Sequence, residues 1–365
     1  MYNILKLNKI SPVIKDVFTK DYVLSDDAVN PDGILVRSAQ MADYQVDTNL
    51  VAIARAGAGV NNIPVQDMAK KGVVVFNTPG ANANAVKELV LCSMFLASRD
   101  IIGGNKWVNT LTENVAKSAE KGKSAFGGHE IFGKTLGVIG LGAIGRLVAN
   151  AAIHLGMNVI GYDPYLNDSI KNDLNDNISI ADFDTVVKTS DILTIHVPYM
   201  DSTKGMINAG TIAEMKDGVI ILNLARGELV DVNAVKEALA SGKVKKYVVD
   251  FPSEDVLNQE GIIVMPHLGA STEEAEDNCA VMAGKELVDY IENGNITNSV
   301  NYPALKKARV NGMKRTTVLF NAEDKNAIDL LPGDKLVAVR GAFGYAIIDN
   351  NDYVDAPNAI RIRNI

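Results

Sequence analysis

Between residues 136 and 267, short apolar runs alternate with stretches of helical periodicity. The runs fall at 136–140, 157–162, 191–195, 217–223, 245–250 and 261–265. Strands spaced by ~20–30 residues, with a helical pattern between them, predict a parallel, doubly wound α/β sheet. Residues 1–98 carry a smaller version of the pattern, with strands expected at 34–37, 50–55 and 73–77 and a long apolar helix at 84–98. Residues 100–135 are polar and Gly-rich and read as a linker or an interface. Ser271-Thr272-Glu273-Glu274 has the form of a capping box, opening a helix that runs to about Asn293. Residues 294–303 are then expected to leave the core. After a polar connector the chain turns β-rich, with strands expected at 316–321, 335–339, 344–349 and 359–365 and a turn at Pro332-Gly333-Asp334.

The first strand of the regular stretch runs into Gly140-x-Gly142-x-x-Gly145. A helical segment follows, and the next strand ends on Asp163. That is a dinucleotide-binding fingerprint in its required setting. Gly140 permits the tight turn, Gly142 lets the backbone approach a pyrophosphate, and Gly145 lets helix and strand pack closely. The N–H groups of the helix start, including Ala143 and Ile144, face the phosphates. Asp163 would accept from both ribose hydroxyls and repel a 2′-phosphate. The following residues, Pro164 to Asn167, include no cation to hold such a phosphate. NAD is therefore favoured over NADP.

Composition adds bounds. A chain of 365 residues, 47% hydrophobic and 22% charged, has material for two or three domains with substantial cores. No apolar run approaches a membrane span, and the first residues lack a secretory signal pattern, so a cytoplasmic protein is expected. Cys92 and Cys279 lie in apolar helical stretches and read as buried free thiols. The net charge of −8 argues against nucleic acid as a partner, and an anionic substrate would need locally placed cations. Lys306, Lys307, Arg309, Lys314 and Arg315 cluster in the connector, where solvated charge is the simpler reading. No residue pattern calls for a metal.

Three more segments end predicted strands, where open α/β sheets place ligands: 223–227, 250–254 and 266–271. They contain Arg226, Glu254 and His267. Oxidising a secondary alcohol needs a base near neutral pH, which histidine supplies, and a carboxylate to orient it. An arginine can clamp a substrate carboxylate and polarise its carbonyl. Of the other histidines, His129 reads as exposed, His154 as packing, and His196 as packing or as lining the cofactor cleft.

These residues, with Gly133-Lys134-Thr135-Leu136-Gly137 and Pro266–Ser271, resemble the D-isomer-specific 2-hydroxyacid dehydrogenases over residues 1–303. The resemblance implies a Rossmann domain (99–272) inserted into a flavodoxin-like substrate domain (1–98 and 273–303), with the nicotinamide in the cleft between them. It also implies a homodimer, possibly a tetramer. Arg226, Glu254 and His267 would be catalytic. The fingerprint residues, Val197, Pro198, Ala225, Asp250, Gly269 and Ala270 would contact NAD. Val36-Arg37-Ser38 and Arg55 to Val60 match the family's substrate loops, and Asn77-Thr78-Pro79 resembles the loop that closes the cleft. Arg37 and Arg55 would approach a substrate phosphate, Ser38 and Gly57 would line the carboxylate side and Asn77 would also bind substrate, so a phosphorylated 2-hydroxy acid is the implied substrate. An unphosphorylated 2-oxo acid such as hydroxypyruvate or glyoxylate is the alternative, and an NADH-sensing corepressor-like protein is one of another class.

Two departures stand out. The family's Asp-Val-Phe-x-x-Glu-Pro segment is one residue shorter here, Asp250-Phe251-Pro252-Ser253-Glu254-Asp255, so Asp255 could replace Glu254 beside His267. Residues 304–365 resemble a small-molecule-sensing ACT domain trimmed of most of its helices. An interface or structural role is expected for them, with effector sensing weak or absent.

Overall fold

Five short strands near the N-terminus are β1 (Tyr2–Leu7), β2 (Tyr22–Ser25), β3 (Gly33–Val36), β4 (Ala52–Arg55) and β5 (Val74–Phe76). In the computed structural model, which describes residues 1–365, they pair in parallel in the order β2-β1-β3-β4-β5. β3 is buried throughout, because its side chains alternate between two apolar layers. Leu35 joins Ile4, Ala54 and Phe76 against the helix Glu273–Asn293, whereas Ile34 and Val36 join Ile53 and Val75 on the other face. The chain divides into two compact units: Met1–Asn82 together with Glu273–Ile365 form the first, and Ala83–Thr272 form the second.

The second unit holds β6 (Thr135–Ile139), β7 (Asn158–Tyr162), β8 (Ile178–Ile180), β9 (Ile192–Ile195), β10 (Val219–Asn223), β11 (Val244–Val249) and β12 (Ile262–Val264). All pair in parallel, in the order β12-β11-β10-β9-β6-β7-β8. The order reverses between β6 and β9, which opens a crevice at their C-terminal ends. The helix Ala83–Ser98 packs in this unit against the helix Ala143–His154. Residues 100–135 are not a linker. They form helices Ile101–Val108 and Val115–Gly122 and a 3-10 turn Lys123–Phe126, pinned by Trp107 stacking 5.1 Å from Phe126. No helix is long and apolar enough to cross a membrane.

Residues 294–303 stay with the first unit's core. Asn301 Oδ1 accepts from Val75 N, its Nδ2 donates to Val73 O, and Tyr302 OH donates to Ala69 O at 2.6 Å. The two Asn301 bonds satisfy backbone groups that the short β5 would otherwise leave unpaired at the sheet edge.

The C-terminal strands are β13 (Lys314–Asn321), β14 (Asp334–Arg340), β15 (Phe343–Asn350) and β16 (Arg361–Asn364), an antiparallel sheet ordered β14-β15-β13-β16. It has its own small core on one face, around Val318, Phe320 and Ile348. Its other face, with Leu319, Tyr345 and Ile347, packs into the cluster that holds Leu287 and Tyr290 of the helix Glu273–Asn293. The only helical elements in it are Ala322–Asp324 and Lys325–Asp329. The basic cluster is not simply solvated. Arg315 is fully buried and spends every N–H: Nε and Nη2 on Asp349, Nη1 on Asn293 O and Lys307 O, and Nη2 also on Ala308 O. Lys307 Nζ reaches Asp349 at 2.5 Å and Asp334 at 2.9 Å. The thiols also differ from expectation: Cys279 is buried, but Cys92 is exposed on the outer side of its helix.

Candidate functional site

β6 delivers the chain into the fingerprint. Gly140 has φ +89°, a left-handed conformation that favours glycine, and an added Cβ would meet His196 O at 2.7 Å. A Cβ on Gly145 would lie 1.8 Å from Gly140 O, so the helix can sit this close to the strand only with glycine. An added Cβ at Gly142 meets nothing within 4 Å, which leaves the backbone open to a ligand. Gly142 caps the helix Ala143–His154 without a side-chain bond, so the helix's first N–H groups keep their capacity for an anion. Asp163 stands opposite: Oδ2 accepts from Leu141 N and Oδ1 from Tyr165 N, both at 2.8 Å. The carboxylate is thereby fixed beside the turn, and each oxygen retains a lone pair for a hydroxyl. A dinucleotide's pyrophosphate and ribose fit this arrangement.

His196 follows β9, and the backbone of Gly140 packs on it. Its Nε2 lies 2.9 Å from Thr194 Oγ1, and burial pushes its pKa down to about 3, so it is neutral. Val197 lies beside Gly140, and Pro198 O accepts from Thr203 Oγ1. His129 is exposed as expected. His154 is exposed too, at its helix end, with Nδ1 2.7 Å from Asn150 O, and does not pack as expected.

At the ends of β10 and β11, two buried polar residues build the loops. Asn223 is inaccessible; its Oδ1 accepts from Ala225 N and Arg226 N, and its Nδ2 donates to Arg226 O. Asp250 is 1% exposed, and its oxygens accept from Leu268 N and Gly269 N, both at 2.7 Å. These two bonds hold His267 at φ +58°, a conformation that costs a non-glycine residue ~1–3 kcal/mol. Asp250 thus anchors the loop from below. Ala225 and Ala270 are half-buried on the loops these two residues hold.

The imidazole of His267 is exposed and makes no hydrogen bond to the protein. Phe251 packs on it at 4.8 Å between ring centroids, and the Arg226 guanidinium lies 5.8 Å from the same ring. Phe251 therefore joins Arg226 and His267. Nothing in the sequence pattern marks it beyond its place after Asp250. Arg226 Nη1 also bonds Ala225 O at 2.6 Å.

The structure does not bring Glu254 to His267. Glu254 is exposed and has no hydrogen bond or ion pair with it. Val256, 1% exposed, is drawn into the core, and the turn through 252–255 rides above it with its carboxylates outward. Asp255 points to Lys236 at 3.9 Å instead of replacing Glu254.

In the first unit, adjacent strands β3, β4 and β5 end near Arg37, Arg55 and Asn77, and this end is cross-linked. Arg55 Nε donates to Arg37 O at 3.0 Å, and its Nη1 donates to Gly59 O. Asn77 Nδ2 donates to Ala58 O, and Thr78 N to Gly57 O. Ser38 is exposed, its N–H bonded to Asn8 Oδ1. Arg37 Nη2 bonds Glu276 Oε1 at 2.6 Å.

Comparison with known proteins agrees with this geometry. Residues 91–269 match the family model of the D-isomer specific 2-hydroxyacid dehydrogenase NAD binding domain. A hydroxypyruvate reductase of Thermotoga maritima is 39% identical over 71% of this chain and 83% of its own. A D-3-phosphoglycerate dehydrogenase of Archaeoglobus fulgidus is 35% identical over 75% of this chain, but the match spans only 52% of that relative's length. The NAD+-bound 3-phosphoglycerate dehydrogenase of Entamoeba histolytica superposes with a TM-score of 0.66 at 25% identity, covering 83% of this chain and 99% of its own.

Proposed function

The chain belongs to the D-isomer-specific 2-hydroxyacid dehydrogenases, with NAD as its cofactor, and on that premise we propose that it interconverts 3-phospho-D-glycerate and 3-phosphohydroxypyruvate, the first step of serine synthesis. The observation that carries the choice of substrate is the pair Arg37 and Arg55, two guanidinium groups at neighbouring strand ends of an acidic protein. A dianionic phosphate is the ligand that most needs both.

In this reading, Arg226 takes the substrate carboxylate and the reacting oxygen. An imidazole nitrogen of His267 accepts the hydroxyl proton in oxidation and returns it in reduction. NAD, when bound, supplies the hydride acceptor for substrate C2. Phe251 keeps the Arg226 guanidinium and the imidazole in register. Glu254 would orient His267 only after moving from its outward position, so its part depends on a turn that rearranges with substrate.

Reduction of hydroxypyruvate or glyoxylate is the second reading. It is favoured by the Thermotoga maritima relative, a hydroxypyruvate reductase, and by the engagement of Arg37 with Glu276. NADH consumption with 3-phosphohydroxypyruvate, hydroxypyruvate and glyoxylate side by side separates the two. A large preference for the phosphorylated acid is expected; a preference for the other two would move the function to general 2-oxo acid reduction. A homodimer in the cytoplasm is part of the same proposal. An NADH sensor would instead keep its cellular function when His267→Ala abolishes turnover.

A further inference from the structure

Arg37 is held from two directions. Its backbone carbonyl accepts from Arg55 Nε, which fixes its base at the end of β3. Its guanidinium meets Glu276 on the first turns of the helix Glu273–Asn293, with Nη2 to Oε1 at 2.6 Å. Both side chains are a little over one-third exposed, at 39% and 37%, so an anion from solvent can reach the pair. Arg37 Nε and Nη1 make no bond to the protein, so the fork keeps donors to offer. A carboxylate on an arginine fork has the charge and geometry of an anionic ligand.

We propose that Glu276 is a specificity-determining residue that competes with the substrate's anionic group for Arg37. This rests on the assignment of Arg37 to substrate. An incoming anion must displace Glu276 or share the fork with it against like-charge repulsion. A dianionic phosphate recovers more from the fork than a monoanion and displaces Glu276 more readily. Glu276 thereby weakens adventitious anions at Arg37 and sets a threshold that a phosphorylated substrate crosses. The partial exposure of the pair keeps the effect moderate.

The test measures inorganic phosphate affinity by calorimetry for the full chain, E276Q, E276D, R37A and R37A/E276Q. In parallel, kcat and KM are measured with 3-phosphohydroxypyruvate and with glyoxylate. E276Q is expected to bind phosphate ~3–5-fold more tightly and to lower KM for the phosphorylated acid by a similar factor. Its kcat should stay within about twofold, and KM for glyoxylate should stay unchanged. E276D, which keeps the charge on a shorter arm, should fall between wild type and E276Q. In the R37A background E276Q should have no effect.

Unchanged or weaker phosphate binding in E276Q, or an E276Q effect that persists without Arg37, would overturn the proposal. If the wild-type protein turns over only unphosphorylated acids, the phosphoglycerate reading fails. The phosphate titrations still decide the role of Glu276 in that case.

Discussion

On the seven-stranded sheet, the residues at the strand ends are held by side chains that do no chemistry themselves. Asn223 bonds the loop of Arg226, and Asp250 bonds the amides that follow His267. On the five-stranded sheet, the residues at the strand ends hold one another: Arg55 ties down Arg37, and Arg37 reaches Glu276. The first end is pre-set by buried polar anchors, which leave the imidazole without a protein hydrogen bond and available. The second is closed by partly exposed charges that a ligand can exchange. Proton transfer demands fixed geometry, whereas anion capture tolerates a side chain that swings.

His267→Ala should have the largest effect on that contrast. Turnover should fall by ~10²–10⁴ while NADH binding, followed by fluorescence titration, stays nearly intact. Equal loss of NADH affinity would mean that the loop, and not the imidazole, is the working part. Asp250→Asn tests the anchor itself. The amide offers one acceptor where two N–H groups need one each, so ~1–3 kcal/mol of stability should be lost. Denaturant midpoints with turnover measured in parallel check this; full stability and full activity would show that the loop holds itself.

Arg37→Ala sharpens the comparison from the other side. KM for 3-phosphohydroxypyruvate should rise ~10–100-fold, and KM for glyoxylate should change little.

Glu286 gives the first unit a pH dependence. It is 6% exposed, and burial raises its pKa to about 7. Its Oε1 accepts from Asn298 Nδ2, and Asn298 O in turn accepts from Asn77 N. Between the ordinary value and 7 the folded state binds a proton that the unfolded chain has released. Stability therefore falls as pH rises through this window and then levels off. Glu286→Gln should remove that slope, which thermal unfolding scans from about pH 5 to pH 8 can read as a shift of a few degrees. A slope that survives in Glu286→Gln would assign it to another group. The smallest effect expected is none: serine at micromolar concentration should leave turnover unchanged, since the C-terminal sheet carries only two short helical turns and packs one face into the neighbouring core. Micromolar inhibition would show an effector site there.

The nucleotide cradle is legible in the sequence because its glycines are required by backbone geometry alone, and the apolar runs of β6, β7 and β9–β11 are long enough to stand out. β8 escapes such reading because it is a three-residue edge strand with a mostly exposed face. β1 and β2 escape it because Tyr, Asn and Lys interrupt β1 and β2 spans four residues. Arg226 and His267 can be picked out, since a polar side chain just after a predicted strand is visible in one dimension, and Arg37 and Arg55 stand out through the family resemblance. Their partners cannot. Asp250 reads as a ligand contact, and its part as an anchor of the loop is not visible; Glu254 reads as an orienting group and points away; Phe251 carries no mark of its own and touches both Arg226 and His267. Each of those roles depends on where a neighbour such as Val256 is buried. The same holds for Arg315, whose partners come from three separate segments.

The first unit is discontinuous, and this has a consequence for how the chain is made. Residues 1–82 leave the ribosome before 273–365, yet Ile4, Leu35 and Phe76 lie in a cluster completed by Leu287, Tyr290, Tyr302 and Tyr345. The inserted 83–272 contains every strand of its own sheet and can fold as soon as it emerges. The N-terminal segment must wait, apolar face uncovered, until the helix and strands beyond the insertion have been translated. The C-terminal strands thus act as the closing stitch of a unit begun on the far side of the insertion, and a stop codon just before them would strip Tyr290 of its contacts with Tyr345 and Arg363.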